Sequence, residues 1–399
     1  MSNSAAEEPP RHKKTKEEPL PPASSSPFTS LPDAVALSCV VRVSKLERAA
    51  LSVVSNSVRS LLVSPDFNKT RSLFGLAEKL VYVCLRTPPP GPGSPRWFIC
   101  RIEEDNHCNR LCQISSSRSN QALKSSVVSL DWGIYVIGGK LNGERSSDVS
   151  LLDCRSHRWQ KVSSMRVARA SAVAGVVDGK IYVFGGCEER DLWGEVFDPK
   201  TQTWEALPDC GVRTYGLIRG GVVVEKKVYA VDAREQRFYY SPSEGKWEVC
   251  NYDFTRCCVI DGLLCFCDSF GNLFWCEPKD MALKKVHGLE DLERRVSGSK
   301  VFHFDGYVSE LSTLTSTRSE NGITRMCSYG GNLLVFWDVA VVCDGDDDDE
   351  VVEIWCAEIS LERRPGDEVW GKIEWSRAVM STDPLLYCSE VLHSVSVTV

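Results

Sequence analysis

The chain has 399 residues, 43% apolar and 25% charged, which is enough to bury a sizeable core in two or three domains or in one repeat array with a small domain attached. A formal net charge of -7 excludes a chain that binds nucleic acid over its whole surface, because phosphate contacts need a basic one. The N-terminal residues carry no apolar signal segment and no stretch approaches the roughly eighteen uninterrupted apolar residues of a membrane span, so the chain is read as neither secreted nor membrane-bound.

With no secretion signal, the 18 cysteines are expected as free thiols in a reducing compartment, the cytoplasm and/or the nucleus. Residues 1–27, rich in Pro, Ser and charge, read as a disordered tail. The basic run RHKKTK (Arg11 to Lys16) has the composition of a nuclear-import signal but is flanked by glutamates.

Residues 28–72 change texture to helical periodicity. Leu46, Ala50, Val53, Val54, Ser57, Val58, Leu61 and Leu62 fall largely on one helical stripe, and Pro32 stands where a first turn tolerates proline. A unit this small cannot bury enough surface to be comfortably stable alone, so its apolar side requires a partner, within the chain or outside it.

From residue 73 onward the pattern is strand and turn. IYVIGG, IYVFGG and VYAVDA begin at Ile134, Ile181 and Val228, at a constant interval of about 47 residues, and Trp159, Trp204 and Trp247 follow them in turn. Between these anchors SDVSLLDC, WQKV, ASAVAGVV and an Asp178-Gly179 turn complete four strands per period, the mark of a propeller blade. IYVFGG is accordingly expected as an inner strand of its blade, apolar on both faces, with glycines where a Cβ would clash.

Further on, GLLCFCDSFGNLFWCEP, NLLVFWDVAVVC and EVVEIWCAEISL read as strands with little motif left, and dividing roughly 310 residues by about 47 gives six blades, with five or seven open. PPPGPGSP (Pro88 to Pro95) reads as a loop within the first blade, and CDGDDDDE (Cys343 to Glu350) as a hairpin loop lacking calcium-site spacing.

The recurring diglycine and later tryptophan resemble the kelch motif, clear over about 125–170 and 171–220 and departing at Val231-Asp232-Ala233. Residues 30–65 resemble an F-box, in the Leu-Pro-Asp opening, the Arg-Val, the Val-Ser ahead of Arg-Ser-Leu-Leu, and the closing Ser-Pro. FNKTRSLFG and PRWFIC are similar to segments of plant F-box/kelch-repeat proteins. The sequence departs from the F-box pattern at Ala34 and Val35, at Asn56, and at Val58, where a large aromatic is common.

The resemblance implies a mainly β fold, a kelch-type β-propeller of about six four-stranded blades over 73–399, preceded by a small three-helix F-box. It implies a non-catalytic substrate receptor of an SCF-type cullin-RING ubiquitin ligase. The F-box would bind a Skp-type adaptor, and through it cullin, by Leu31, Pro32, Val35, Leu51, Val54, Val58 and Leu61, while the propeller binds a target protein. Several of those residues can equally fill the helical core.

For the target, spacing selects Arg118, Arg166 and Arg213, each about fifteen residues before the next IYV-type strand and so in equivalent loops on one propeller face. Guanidinium groups there could clamp a carboxylate or phosphate, or simply hold their own loops.

Two other readings stand beside this one. A propeller enzyme such as the copper oxidases of that fold needs converging His, Tyr and Cys ligands. The six histidines (His12, His107, His157, His287, His303, His393) share no repeated position, and Cys257, Cys258, Cys265 and Cys267, like His107, Cys108 and Cys112, lack CxxC spacing. No metal or cofactor is therefore expected. The other reading is a kelch scaffold that has lost adaptor binding.

Overall fold

The computed structural model describes residues 31–43, 45–86, 95–102, 110–114, 122–188, 192–211, 217–252, 254–268, 270–298, 323–342, 350–382 and 390–399. The chain divides into two compact units, Met1–Ala77 and Glu78–Val399.

The first unit is helical: α1 (Asp33–Val40), α2 (Lys45–Leu51), α3 (Asn56–Val63) and α4 (Pro65–Leu73). Local chemistry sets the starts. The Pro32 carbonyl accepts from the Val35 and Ala36 amides, and the Ser55 hydroxyl accepts from the Val58 amide at 3.1 Å. Ser64-Pro65 begins α4: Ser64 caps it by accepting from the Phe67 amide at 3.2 Å, and Pro65 takes the first turn. The core is Val40, Val41 and Phe67, with Leu37 and Leu62 packed against it. The Arg71 guanidinium is buried and donates to the Val41 carbonyl at 2.6 Å and to the Leu76 carbonyl, tying α4 to the end of α1.

The second unit is a six-bladed β-propeller. Its sheets, each of four antiparallel strands, follow one another around an axis, and their first strands neighbour one another in a closed ring. Blade two runs Ser126–Leu130, Gly133–Ile137, Val149–Asp153 and Arg158–Val162 from axis to rim; blade three is Val173–Val177, Lys180–Phe184, Gly194–Asp198 and Thr203–Ala206. Blade four is Ile218–Val224, Lys227–Asp232, Arg237–Ser241 and Lys246–Val249. Blade five is Cys257–Ile260, Leu263–Cys267, Leu273–Cys276 and the two-residue Lys284–Lys285. Blade six is Arg325–Tyr329, Asn332–Val342, Glu350–Arg364 and Glu368–Thr382.

Blade one is assembled from both ends of the unit. Lys79–Arg86, Pro95–Arg101 and Arg110–Gln113 receive their axial strand from Glu390–Thr398. The seam is antiparallel, with Leu80 opposite Val397, and Glu78 and Val399 exchange backbone hydrogen bonds at 2.8 and 2.9 Å.

IYVFGG, expected as an inner blade strand, is one: Lys180–Phe184 is the second of four, paired on both sides, while Val173–Val177 lines the axis. The repeat counted from its glycines straddles two blades, because the chain enters each blade one strand earlier. Small residues suit the crowded axial strand: a Cβ on Gly175 would meet the Val223 side chain at 2.5 Å. The second strand is nonetheless buried on both faces, as Ile181, Val183 and Phe184 show.

The core consists of the layers between blades rather than one central mass. One apolar cluster fills each of the six interfaces; between blades two and three it contains Ile137, Val149 and Leu151 against Ile181, Val183 and Phe197. The recurring tryptophans cross these interfaces. Trp204 on the rim of blade three donates to the Ser163 carbonyl just beyond blade two at 2.8 Å, and Trp247 on blade four to the Pro208 carbonyl beyond blade three at 3.0 Å.

The diglycines serve close approach. Gly138 has φ +61°, and a Cβ there would lie 2.4 Å from the Arg169 carbonyl oxygen of the next connection. Where blade four lacks the pair, buried Asp232 replaces it, its carboxylate accepting from the Arg234 and Gln236 amides at 2.8 and 2.9 Å.

Blade five has a vestigial rim, and the long outer hairpin of blade six covers it. Arg363 pairs with Glu277 at 2.8 Å and Asp367 with Lys284, while the His287 amide donates to the Val369 carbonyl at 3.0 Å and Gly371 returns a bond to His287 at 2.8 Å.

Candidate functional site

Strand direction gives the propeller two distinct faces. One, the connection face, carries the links from each rim strand to the next blade and the loops between second and third strands. The other carries the tight turns between first and second strands.

Arg166 lies in the link from blade two to blade three, on the connection face, with its side chain exposed and its amide donating to Glu195 Oε1 at 2.9 Å. Arg118 and Arg213 fall outside the described residues, as do His12, His107, Cys108 and His303, the basic run Arg11 to Lys16, Pro88 to Ser94 and Cys343 to Asp349.

Three residues after Arg166, the sequence reading missed Arg169. Its guanidinium is buried and donates to Glu195 Oε2 at 3.0 Å, to the Gly185 and Trp193 carbonyls at 3.0 and 2.8 Å, and to the Leu192 carbonyl at 2.6 Å. A buried charge saturated in this way organises its loop and is removed from contact with ligands. No local signal distinguishes the two arginines, because Glu195 is far along the chain.

The connection face also bears apolar groups that spacing did not reveal. Leu217, Val249, Tyr252 and Phe270 are exposed there, on links and loops of blades four and five, and Phe270 reaches 66%. Among the described residues, only Leu283 of this unit's exposed large apolar residues lies on the other face. Aromatic and aliphatic side chains exposed on the loops of one face are the usual material of a protein-binding surface.

On the helical unit, Leu31, Pro32 and Val35 are exposed along the start of α1, and Val54 is 70% exposed in the turn between α2 and α3, with Val53 beside it. Leu51 and Leu61 are half-buried, whereas Val58 is only 5% exposed and packs inside the unit. Four of the seven residues read as adaptor contacts therefore lie at the surface, two are shared with the core, and Val58 is a core residue.

The thiols of blade five behave as apolar groups. Cys258 and Cys265 stand directly opposite on the first two strands, and burial pushes both up to about 12. Cys267 is pushed up to about 11 by the same cause. The cysteines among the described residues are all free thiols, and among those residues no three His, Cys, Asp or Glu side chains gather in a group that could hold a metal ion.

The described histidines are separated. His157 Nε2 lies 3.1 Å from the Tyr82 hydroxyl, His287 packs on the Trp370 ring, and His393 sits in the closing strand opposite Cys84.

A helical unit followed by a closed propeller of six four-stranded blades places the chain in the class of β-propeller proteins with a helical N-terminal unit. The FKB95 Kelch-repeats domain family matches residues 97–380. Over its full length the chain is 38% identical to a putative F-box/kelch-repeat protein of Arabidopsis thaliana, with all of both chains covered. It is 36% identical to a second F-box/kelch-repeat protein of that plant, with 98% of this chain and 99% of the relative covered. The chain belongs to the F-box/kelch-repeat family.

Proposed function

We propose that this chain is the target-recognition subunit of an SCF-type cullin-RING ubiquitin ligase. The helical unit binds a Skp-type adaptor and, through it, cullin. The propeller holds the target protein on its connection face, where Leu217, Val249, Tyr252, Phe270 and Arg166 are presented. The receptor performs no bond chemistry; it raises the effective concentration of bound target beside the ubiquitin-loaded enzyme.

The observation that carries this reading is the exposure of Leu31, Pro32, Val35 and Val54 on the helical unit. Apolar groups this exposed on so small a unit cost solvation without adding to its own core, and a partner's surface would bury them.

The test is a pull-down of recombinant adaptor and cullin by the full chain and by a Leu31→Ala/Pro32→Ala variant, with circular dichroism to confirm that both fold. Adaptor retained by the parent and lost by the variant is the expected result. If the folded parent retains none, the ubiquitin-ligase reading fails and the chain is a kelch scaffold.

A further inference from the structure

Among the described residues the propeller unit contains one helix, α5 (Glu290–Gly298), which follows the rim strand of blade five. Its inner side is fixed: Leu292 and Val296 are fully buried in the layer between blades five and six. Val296 fills the space above Gly271, where a Cβ would come within 2.8 Å of it. The helix thereby braces Gly271, the neighbour of Phe270 on the connection face.

The outer side of the same turn has a different chemistry. Arg294, Arg295 and Ser297 are all exposed. The Ser297 hydroxyl donates to the Glu293 carbonyl at 2.6 Å, and the Glu293 carboxylate pairs with Lys285 at 2.8 Å. The sequence Arg294-Arg295-Val296-Ser297 sets two guanidinium groups three and two positions ahead of an exposed hydroxyl. That spacing suits kinases whose acidic subsites grip two cations on the N-terminal side of the acceptor.

We propose that Ser297 is a phosphorylation site for an arginine-directed serine/threonine kinase, and that the phosphate loosens the last turn of α5. In the transfer the Ser297 Oγ–P bond forms as the bond from the γ-phosphorus of ATP to its bridging oxygen breaks. The seryl proton passes to the kinase's base and ADP leaves. The product places a charge of about -2 at the negative end of the helix dipole and one turn from the Glu293 carboxylate, and it removes the hydroxyl donor that Glu293 had used. The turn opens, Val296 leaves its seat over Gly271, and the loop carrying Phe270 gains freedom. Because Phe270 belongs to the proposed target surface, the consequence for target binding rests on that reading; the modification itself does not.

The test incubates the full chain with magnesium ATP and the catalytic subunit of a cyclic-nucleotide-dependent kinase, maps phosphate by tandem mass spectrometry, and follows hydrogen exchange over residues 268–272 and 290–297. Phosphate is expected on Ser297 and absent from Ser297→Ala. Exposed Arg294→Gln/Arg295→Gln, which leaves the buried side of the helix intact, should be modified about tenfold more slowly or worse, as losing charge-assisted contacts implies. Both segments should exchange faster in the phosphorylated chain and remain unchanged in Ser297→Ala treated alike. An unmodified Ser297 in the folded chain, while the kinase modifies its control substrate, would overturn the site; phosphorylation with unchanged exchange would overturn the loosening.

Discussion

Acidification should weaken the ring at its seam, through His393. This residue lies in Glu390–Thr398, the strand that completes blade one, opposite buried Cys84, whose own thiol burial pushes up. Desolvation, with the Arg325 charge adding to it, pushes the His393 imidazole pKa down to about 3. Arg325 is held beside it by donating to the Leu392 carbonyl at 2.6 Å.

The folded chain therefore keeps the ring neutral, while the unfolded chain protonates it near the ordinary value of about 6.5. Stability is unaffected by this group above that value. It falls by about 1.4 kcal/mol per pH unit below it, until the folded chain also binds the proton near pH 3. At about pH 5 the loss attributable to His393 is about 2 kcal/mol. Urea unfolding followed by tryptophan fluorescence at the two pH values, on the parent chain and on His393→Leu, isolates the effect, because the carboxylates contribute alike to both. The parent should lose about 2 kcal/mol more than the variant between neutral pH and pH 5; equal losses would refute the assignment.

Other outcomes follow from particular contacts. Glu195→Ala leaves the Arg169 guanidinium buried without its anion and should cost about 3–5 kcal/mol by denaturant unfolding. Gly138→Ala forces a Cβ against the Arg169 carbonyl at φ +61° and should cost upwards of about 1–3 kcal/mol in the same assay, whereas Gly143→Ala, also at positive φ, meets open space and should cost less. Trp204→Phe replaces the indole by a smaller aromatic ring and loses the bond to the Ser163 carbonyl, for at least about 1 kcal/mol by denaturant unfolding. Phe270→Ala, at an exposed site, should leave stability within about 0.5 kcal/mol while reducing capture of a target once one is in hand.

What could be read in advance was whatever answers to local geometry. The glycine pairs and rim tryptophans repeat because each blade meets the same steric and hydrogen-bonding demand, so their interval reveals the blades. Blade four conceals itself because Asp232 satisfies the turn amides that the glycine geometry handles elsewhere. Blades five and six conceal themselves because a long hairpin and α5 supply packing that the motif supplies elsewhere.

The binding residues were harder to read for a related reason. A helical stripe does not separate Val58, facing inward, from Val54, facing outward, since both are apolar and four positions apart. Spacing places Arg166 and Arg169 in one loop but carries no information about Glu195, which decides which of the two is withdrawn. Leu217, Val249, Tyr252 and Phe270 follow no period at all; only the folded ring gathers them on one face.

The seam of blade one also sets an order of events during synthesis. Lys79–Arg86 leaves the ribosome about 300 residues before the strand that will pair with its inner edge, a delay of about 15 to 60 seconds at ordinary elongation rates. Throughout that interval the run LVYVCL presents an apolar β edge with nothing hydrogen-bonded to it, a ready template for joining another nascent chain. Yield in the cell is thus expected to depend on chaperones that shield that edge, and a premature stop anywhere before Glu390 converts a closed ring into an open arc with a permanently adhesive end.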